Sequence, residues 1–125
     1  GKNANLLLNI GPQPDGELPA LALDRLKGIG KWMQQYGETI YGTTASGTSR
    51  QDWGIALKKD NKIYLHVLAH DTQEISLPIS GKIKSAYSFD DNSRVGIKKD
   101  KEGITLLLPQ MKDAVDNIFV IELKE

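Results

Sequence analysis

The sequence lacks cysteine, and this absence excludes both a disulfide-stapled scaffold and a thiolate metal site. It also lacks any apolar run close to the roughly 20 residues that a membrane-spanning helix needs. An excess of one charge is missing too, because sixteen basic residues balance sixteen acidic ones and neither sign forms a long block. The composition therefore predicts neither a nucleic-acid nor a membrane partner. It leaves the cellular compartment undetermined.

The 125 residues suffice for one domain, or for one domain with a piece of another. Near the start, Asn5–Ile10 is a short apolar run of the kind that forms a strand buried on both faces. Pro12, Pro14 and the pair Asp15-Gly16 then prevent either a strand or a helix from continuing. This stretch predicts a core strand that ends in a turn.

An amphipathic helix is predicted from about Pro19 to Tyr36. Pro19 suits the first helical position, and Gly37 suits a left-handed cap after the last one. Gly28 and Gly30 each cost about 1 kcal/mol relative to alanine inside a helix, which a closely packed neighbour would explain. Spacings of four, three, four and three residues define one apolar face, formed by Ala22, Leu26, Ile29, Met33 and Tyr36. A strand followed by such a helix is one βα unit, which cannot form a sheet alone.

The rest of the sequence has the two-residue period of an all-β domain. A small polar linker is predicted at residues 44–51, and an antiparallel β-sandwich at residues 52–125. Asp60-Asn61 marks the turn of a first hairpin, and alternate residues of its second strand, Lys62–Ala69, face opposite sides. Turn clusters separate the further strands, which are Glu74–Leu77, Ile83–Phe89, Arg94–Lys98, Ile104–Leu108 and Asn117–Leu123.

The two histidines, His66 and His70, are four residues apart. On a helix that spacing would let them share a metal ion, but on an extended strand it separates them by roughly 13 Å. They are therefore predicted to be polar side chains at a strand end, and no metal site is predicted. No cofactor motif is found either, because Gly28-x-Gly30 lies within a helix without the third glycine of a dinucleotide fingerprint, and no Lys-Ser/Thr pair follows Gly11–Gly16.

Two further groups of residues are candidate binding sites. Asp90-Asp91-Asn92 suggests calcium, but Arg94 and Val95 occupy the positions where an EF-hand loop needs an oxygen ligand and a glycine. A turn that bonds its own backbone is the favoured interpretation. Aromatic side chains could stack on sugars, although in a sandwich they more often pack inside; they are Trp53, Tyr64, Tyr87 and Phe89 on the strands and Trp32 on the helix. The residues alone define no catalytic, substrate-binding or metal site.

The stretch from Lys2 to Thr43 resembles the end of the catalytic domain of the α-L-fucosidases of glycoside hydrolase family 29. In that family a strand of the type N-L-L-L-N-I-G-P, a P-D-G turn and a helix of the type L-x-x-I-G-x-W-x-x-x-x-G-E-x-I-Y-G-T close a (β/α)8-type barrel, and a β-sandwich follows. Lys58–Leu68 is similar to the second strand region of that sandwich. The matching residues of the first stretch are Asn5–Pro12, Asp15-Gly16, Leu26, Ile29-Gly30, Trp32, Gly37-Glu38 and Ile40–Thr43.

The resemblance implies a retaining enzyme that hydrolyses terminal α-L-fucosyl linkages with an aspartate nucleophile and a separate acid/base carboxylate. Such carboxyl groups stand about 5–5.5 Å apart, and in the family both lie upstream of the strand that Asn5–Ile10 matches. No catalytic residue can be carried over, no cofactor is implied, and the chain alone is predicted to be inactive. Asn9 and Gln13 would lie near the barrel mouth, but a bond from Asn9 to the backbone of an adjacent loop is the favoured interpretation. Neither is assigned to a site.

The expected fold is therefore mainly β, with an antiparallel β-sandwich at residues 52–125 preceded by the last strand and helix of a barrel at residues 1–43. The expected role is the accessory sandwich of a fucosidase. The alternative is a non-catalytic carbohydrate-binding or protein-docking module, and a structural spacer is a third interpretation. The expected partner is a fucosylated glycan, bound through a barrel upstream. The unpaired helix face needs the sandwich or a second copy of the chain, which would make a homo-oligomer. A bacterial parent enzyme, periplasmic or secreted, is expected.

Overall fold

The structure is a computed structural model that describes residues 4, 6–46, 51–69, 71–79, 82–110 and 115–124. The chain divides into two compact units, Ala4–Gly42 and a β-rich unit that begins at Thr43. No helix within the described ranges combines the length and the apolar character that a membrane crossing requires. The described elements are α1 (Ala20–Tyr36), a 3₁₀ turn (Gly37–Thr39), β1 (Thr44–Ala45), β2 (Gly54–Lys59), β3 (Lys62–Val67), β4 (Glu74–Leu77), β5 (Ile83–Ser88), β6 (Gly96–Lys99), β7 (Ile104–Leu107) and β8 (Asn117–Leu123).

The first predicted strand is not formed. Residues 6–10 have no regular secondary structure, and their three leucines are exposed, Leu7 at 93%. The prediction of a buried strand at Asn5–Ile10 is therefore wrong for this structure, and Asn5 itself lies outside the described residues. A strand needs hydrogen-bonded neighbours for its backbone groups, and an apolar sequence supplies none by itself.

The turn that follows this segment forms as predicted. The Gly16 N–H donates to the Gln13 carbonyl at 2.8 Å, and the Glu17 N–H donates to Asp15 Oδ1 at 3.0 Å. Gly16 has a φ of 84°, in the left-handed region that favours glycine. The Asp15 side chain thus bonds the backbone two residues onward, as aspartate commonly does in turns.

Helix α1 lies where the periodicity placed it, with two differences at its ends. Pro19 is the N-cap rather than the first helical residue, and its carbonyl accepts the Leu23 N–H at 3.0 Å. Gly37 is not left-handed, because its φ of −57° and ψ of −28° continue into the 3₁₀ turn. A Cβ at Gly37 would stand 3.0 Å from Cε2 of the exposed Tyr41, so this ring would have to shift slightly to make room for it. The left-handed glycine is Gly42, with φ of 73°.

No residue of α1 is buried. Ile29, at the middle of the predicted apolar face, is 51% exposed, and Leu21 and Leu23 on the remaining surface are exposed as well. The close neighbour expected at Gly28 and Gly30 is not found, because a Cβ added at either would meet no atom within 4 Å in the described structure.

Strands β2 and β3 form the predicted hairpin. Lys59 pairs with Lys62 and encloses Asp60-Asn61, in which Asp60 has a φ of 52°. At the other end of the hairpin, Gly54 has a φ of 150°, and a Cβ there would stand 1.9 Å from the carbonyl oxygen of His66. The strand can begin so close to its neighbour only because residue 54 has no side chain.

Two antiparallel sheets pack face to face, as the sandwich prediction requires. Within the described residues the orders are β1-β2-β3-β8-β5 and β4-β7-β6. β4 and β8 have the predicted bounds, whereas β6 begins at Gly96 rather than Arg94, and β1 lies inside the segment predicted as linker. Both sheets contribute to one core, whose most deeply buried aliphatic residues are Leu65, Val67, Ile75, Leu106 and Ile121.

Strand β5 lies at an edge of the larger sheet and is covered or interrupted along its length. Its pairing with β8 shifts register between Ile83 and Ser85, where Lys84 is exposed. Along residues 86–88 the chain folds back, so that residues 93–95 exchange backbone hydrogen bonds with it at 2.8 and 3.0 Å.

Candidate functional site

His66 and Asp116 form a buried polar pair in the β-rich unit. His66 Nδ1 lies 2.5 Å from Asp116 Oδ2, and the two side chains are 5% and 8% exposed. His66 lies opposite Ile118 in the register of β3 with β8. Asp116 is two residues before Ile118, so it projects to the same face of the sheet. His66 was predicted as a polar side chain at a strand end, and it lies one residue before the end of β3, where it is buried; His70 lies outside the described residues.

Sequence reasoning missed Asp116 because it precedes β8 by one residue. Asp116 and Ile118 are two residues apart and therefore face the same side of the sheet. This would have placed Asp116 beside His66, but only once β8 was known to pair with β3. The second carboxylate oxygen, Asp116 Oδ1, is buried and has no hydrogen-bond partner in the described structure. A buried polar atom without a partner has a free-energy cost. Removal of either member would leave the other buried without its partner. The pair therefore affects the free energy of unfolding chiefly through the cost of losing one member.

A carboxylate that orients an imidazole is also a component of acid–base and nucleophilic sites. Here both side chains are more than nine-tenths buried. The open cleft of about 490 Å³ between Asp71–Glu74 and Leu107–Gln110 is not lined by either of them. Among the residues described, no group of three or more His, Asp or Glu side chains is placed to hold a metal ion. We therefore interpret the pair as a structural link between β3 and the start of β8.

The aromatic residues of the strands do not form a sugar-stacking surface. Tyr64 is buried, Trp53 packs partly against the core, and Tyr87 and Phe89 are half-buried. On α1, the rings of Trp32 and Tyr36 are 5.2 Å apart and tilted by 41°. The packing interpretation of the strand aromatics is therefore the correct one.

The acidic turn at residues 90–92 bonds its own backbone, as predicted. The Ser93 N–H donates to Asp91 Oδ1 at 3.0 Å, and the Asn92 N–H donates to the Ser88 carbonyl at 2.9 Å. Asn92 has a φ of 59°, which asparagine tolerates better than most residues. These groups bond the turn's own backbone.

Asn9 and Gln13 are both exposed in the N-terminal unit. The Gln13 N–H donates to the Glu17 carbonyl at 2.7 Å, which belongs to the turn. The structure does not bring either side chain together with a candidate catalytic group among the described residues.

The chain is similar to one group of proteins. A profile of the family described as alpha-L-fucosidase matches residues 1–38. Among curated relatives, the plasma alpha-L-fucosidase of Rattus norvegicus is 34% identical over 83 residues, which are 63% of this chain and 17% of that protein. The tissue alpha-L-fucosidase of Mus musculus is 27% identical over 125 aligned residues, covering 89% of this chain and 26% of that protein. The chain thus spans about a sixth to a quarter of the length of these relatives.

Solved structures extend the similarity to the whole chain. The alpha-L-fucosidase isoenzyme 1 from Paenibacillus thiaminolyticus superposes on 97% of this chain with a TM-score of 0.80 at 32% identity, using 31% of its own length. The Thermotoga maritima alpha-fucosidase, solved with a mechanism-based inhibitor, covers 96% of this chain with a TM-score of 0.76 at 27% identity, again with 31% of its own length.

The proteins that match this antiparallel sandwich and its preceding helix are α-L-fucosidases, which belong to the glycoside hydrolases. Within that class the chain is related to the α-L-fucosidases, and it matches their C-terminal region. The resemblance to the α-L-fucosidases inferred from the sequence is confirmed.

Proposed function

We propose that the chain is the C-terminal part of a retaining α-L-fucosidase of glycoside hydrolase family 29, an enzyme that releases terminal α-L-fucose from glycans. In this proposal the β-rich unit is the accessory sandwich and the N-terminal unit is the last βα element of the catalytic barrel. The catalytic carboxylates lie on residues that precede this chain. The proposal includes a bacterial parent enzyme, for which the 32% identity to the Paenibacillus thiaminolyticus enzyme is the support, and a periplasmic or secreted location.

One observation carries the proposal. The superposition on the Paenibacillus thiaminolyticus fucosidase covers both units, at 32% identity over 97% of the chain. The domain division that we propose is residues 1–43 for the barrel element, 44–51 for the linker and 52–125 for the sandwich, although Thr44–Ala45 already pairs with β2 as β1.

The exposed leucines of residues 6–8 support this assignment. In a barrel, each strand is hydrogen-bonded on both sides by parallel neighbours and covered on both faces. A strand of this kind is apolar throughout, as residues 6–8 and 10 are, and it has no reason to form in the absence of those neighbours. The conformation of residues 6–10 is the one expected for a barrel strand whose partners are elsewhere in the protein.

The test is an assay with an aryl α-L-fucoside. We expect no turnover by the purified 125-residue chain and measurable turnover by the longer protein encoded by the same gene. An aryl β-D-galactoside at equal concentration is the control for general glycosidase activity. Turnover by the 125-residue chain would contradict the assignment of the catalytic groups to preceding residues, and an inactive longer protein would contradict the fucosidase assignment.

A carbohydrate-binding module that works through aromatic stacking is not favoured, because none of the four strand aromatics is exposed. Binding to the neutral fucosylated glycan by the isolated chain is therefore not expected.

A further inference from the structure

The charges of the β-rich unit are sorted between the two ends of the sandwich. At one end of the larger sheet Lys59 pairs with Lys62, and Lys62 pairs with Glu122. In the smaller sheet Lys99 pairs with Ile104, and both border the same cleft as Lys82, which precedes β5 of the larger sheet. Within two residues of these strand ends lie nine lysines, which form the lysine end: Lys58, Lys59, Lys62, Lys82, Lys84, Lys98, Lys99, Lys101 and Lys124. Four carboxylates accompany them among the described residues, namely Asp60, Asp100, Glu102 and Glu122.

The opposite end carries the reverse excess. Among the described residues its carboxylates outnumber its single arginine, Arg94, by six to one; they are Asp52, Asp71, Glu74, Asp90, Asp91 and Asp116. Among the described residues the lysine end therefore has five excess positive charges and the acidic end five excess negative ones, although the formal net charge of the whole sequence is zero. A field of one sign at one end steers ligands of the other sign.

The lysines are accessible and largely unpaired within the described structure. Seven of the nine are exposed. The ion pair recorded at this end joins Lys84 to Glu122 at 3.4 Å. One of the accompanying carboxylates is already committed, because Asp100 Oδ1 accepts the N–H groups of Glu102 and Gly103 at 2.9 and 2.8 Å. The positive charge is thus only partly neutralised by its neighbours.

Three of the lysines border a cleft. It has a volume of about 360 Å³, and it lies between Ile79 with Lys82 and the turn formed by residues 99–104. Small-molecule sites commonly have volumes of about 300–1,000 Å³, so the cleft can accept one sugar unit. Gly103 shapes its wall, because a Cβ at that position would stand 2.0 Å from the carbonyl oxygen of Leu77.

The side chains at this end select among anionic partners. The described residues of the lysine end include one aromatic side chain, the buried Tyr64, whereas single-stranded nucleic acids are held by stacking on exposed aromatic rings. They also include none of the large exposed apolar side chains that would anchor a membrane surface. No arginine is present there, so planar, bidentate recognition of carboxylate or phosphate is absent as well. Lysine ammonium groups act as separate point charges, which suits single anionic groups spaced along a chain.

We propose that the lysine end binds a sulfated glycan, with a sugar unit in the cleft and its sulfate esters against Lys82, Lys99 and Lys101. The choice of a glycan rests on the proposed function, since a fucosidase that works on sulfated glycans would hold a charged part of the same substrate chain there. The charge pattern itself is independent of that function.

The test measures binding of the 125-residue chain to dextran sulfate at low salt, by calorimetry. Uncharged dextran, a 20-nucleotide poly-dT and vesicles of phosphatidylserine and phosphatidylcholine are the comparison ligands. We expect binding to dextran sulfate, weakened by added salt because exposed charges are screened, and much weaker binding to the other three. The triple variant K82E/K99E/K101E should bind dextran sulfate at least about tenfold more weakly, since three exposed charge pairs are lost.

A matched control variant makes the same change of net charge at residues outside the lysine end. The variant R25E/K27E/K31E reverses three exposed cations of α1 and should retain most of the affinity. Circular dichroism establishes that each variant is folded, and K82Q/K99Q/K101Q replaces the charge reversal if it is not. Equal loss in both triple variants, equal binding to poly-dT or vesicles, or no binding to dextran sulfate would each overturn the inference. None of these outcomes alters turnover of an aryl α-L-fucoside by the longer protein, so the two proposals fail separately.

Discussion

The two units of the chain are comparably apolar in sequence but differ in what they bury. In the β-rich unit, residues from both sheets enclose a core in which Leu65, Leu106 and Ile121 are wholly buried. In the N-terminal unit, α1 has no buried residue, and the leucines of residues 6–8 are exposed. The difference lies in the neighbours available, because a hairpin brings its own partner strand whereas a parallel strand depends on distant ones.

An apolar run forms a strand only where neighbouring strands are available to hydrogen-bond with it. The hairpin at Asp60-Asn61 closes over two residues and therefore forms locally. The run at residues 6–10 has a comparable preference for burial and no sheet to join. The effects of substitutions on stability should consequently differ in size between the two units. For one pair of glycines they should also differ in sign.

The largest expected effect is that of Leu65→Ala in the core. Removing a side chain that is 0% exposed should lower the free energy of unfolding by about 2–5 kcal/mol. Urea unfolding followed by Trp53 fluorescence in a Trp32→Phe background reports the β-rich unit alone. Leu7→Ala is the matched control, and its effect should stay below about 0.5 kcal/mol because Leu7 is 93% exposed. Equal effects would contradict the contrast between the units.

The next effect is that of Gly54→Ala at the start of β2. The new Cβ would stand 1.9 Å from the His66 carbonyl oxygen, at a φ of 150° that side chains rarely adopt. We expect a loss of about 3 kcal/mol, from strain and displaced backbone together. The same fluorescence measurement detects it, and a stability within 0.5 kcal/mol of wild type would show that β2 can move away at little cost.

A smaller loss is expected for Asp116→Asn. The change removes the charge opposite His66 and leaves a buried amide with imperfect partners, which should cost about 1–3 kcal/mol. Asp71→Asn, at an exposed carboxylate of the same unit, is the control for the loss of one negative charge. Similar unfolding midpoints for the two variants would indicate that the buried pair contributes nothing specific.

The smallest effect has the opposite sign. Gly28→Ala in α1 meets no atom within 4 Å, so the gain in helix propensity, about 1 kcal/mol, is opposed by no described contact. Helicity by circular dichroism at 222 nm should rise while Trp53 unfolding is unchanged. In the longer protein the substitution should instead be harmful if a neighbour packs on Gly28, which would restore the expectation drawn from the sequence.

The two-residue period of apolar side chains and the residues typical of turns predicted most strands of the β-rich unit. Glu74–Leu77 and Asn117–Leu123 alternate and are bounded by turn residues, and both became strands with the predicted bounds. The sequence did not reveal which strands are neighbours, because the pairing of β3 with β8 joins residues that are 50 to 60 positions apart. For the same reason the link between His66 and Asp116, and the gathering of nine lysines at one end, emerged only from the register. The prediction for Asn5–Ile10 failed because burial was inferred without a partner to provide it.

The edges of the larger sheet have a consequence for how the protein behaves at high concentration. An open edge strand is a template on which another chain can extend the sheet, and such growth leads to fibrils. Here one edge is the two-residue β1, and the other is β5, where a register shift around exposed Lys84 and the returning residues 93–95 leave no continuous row of free backbone groups. Growth of a fibril by addition of strands is therefore not expected at either edge of the larger sheet.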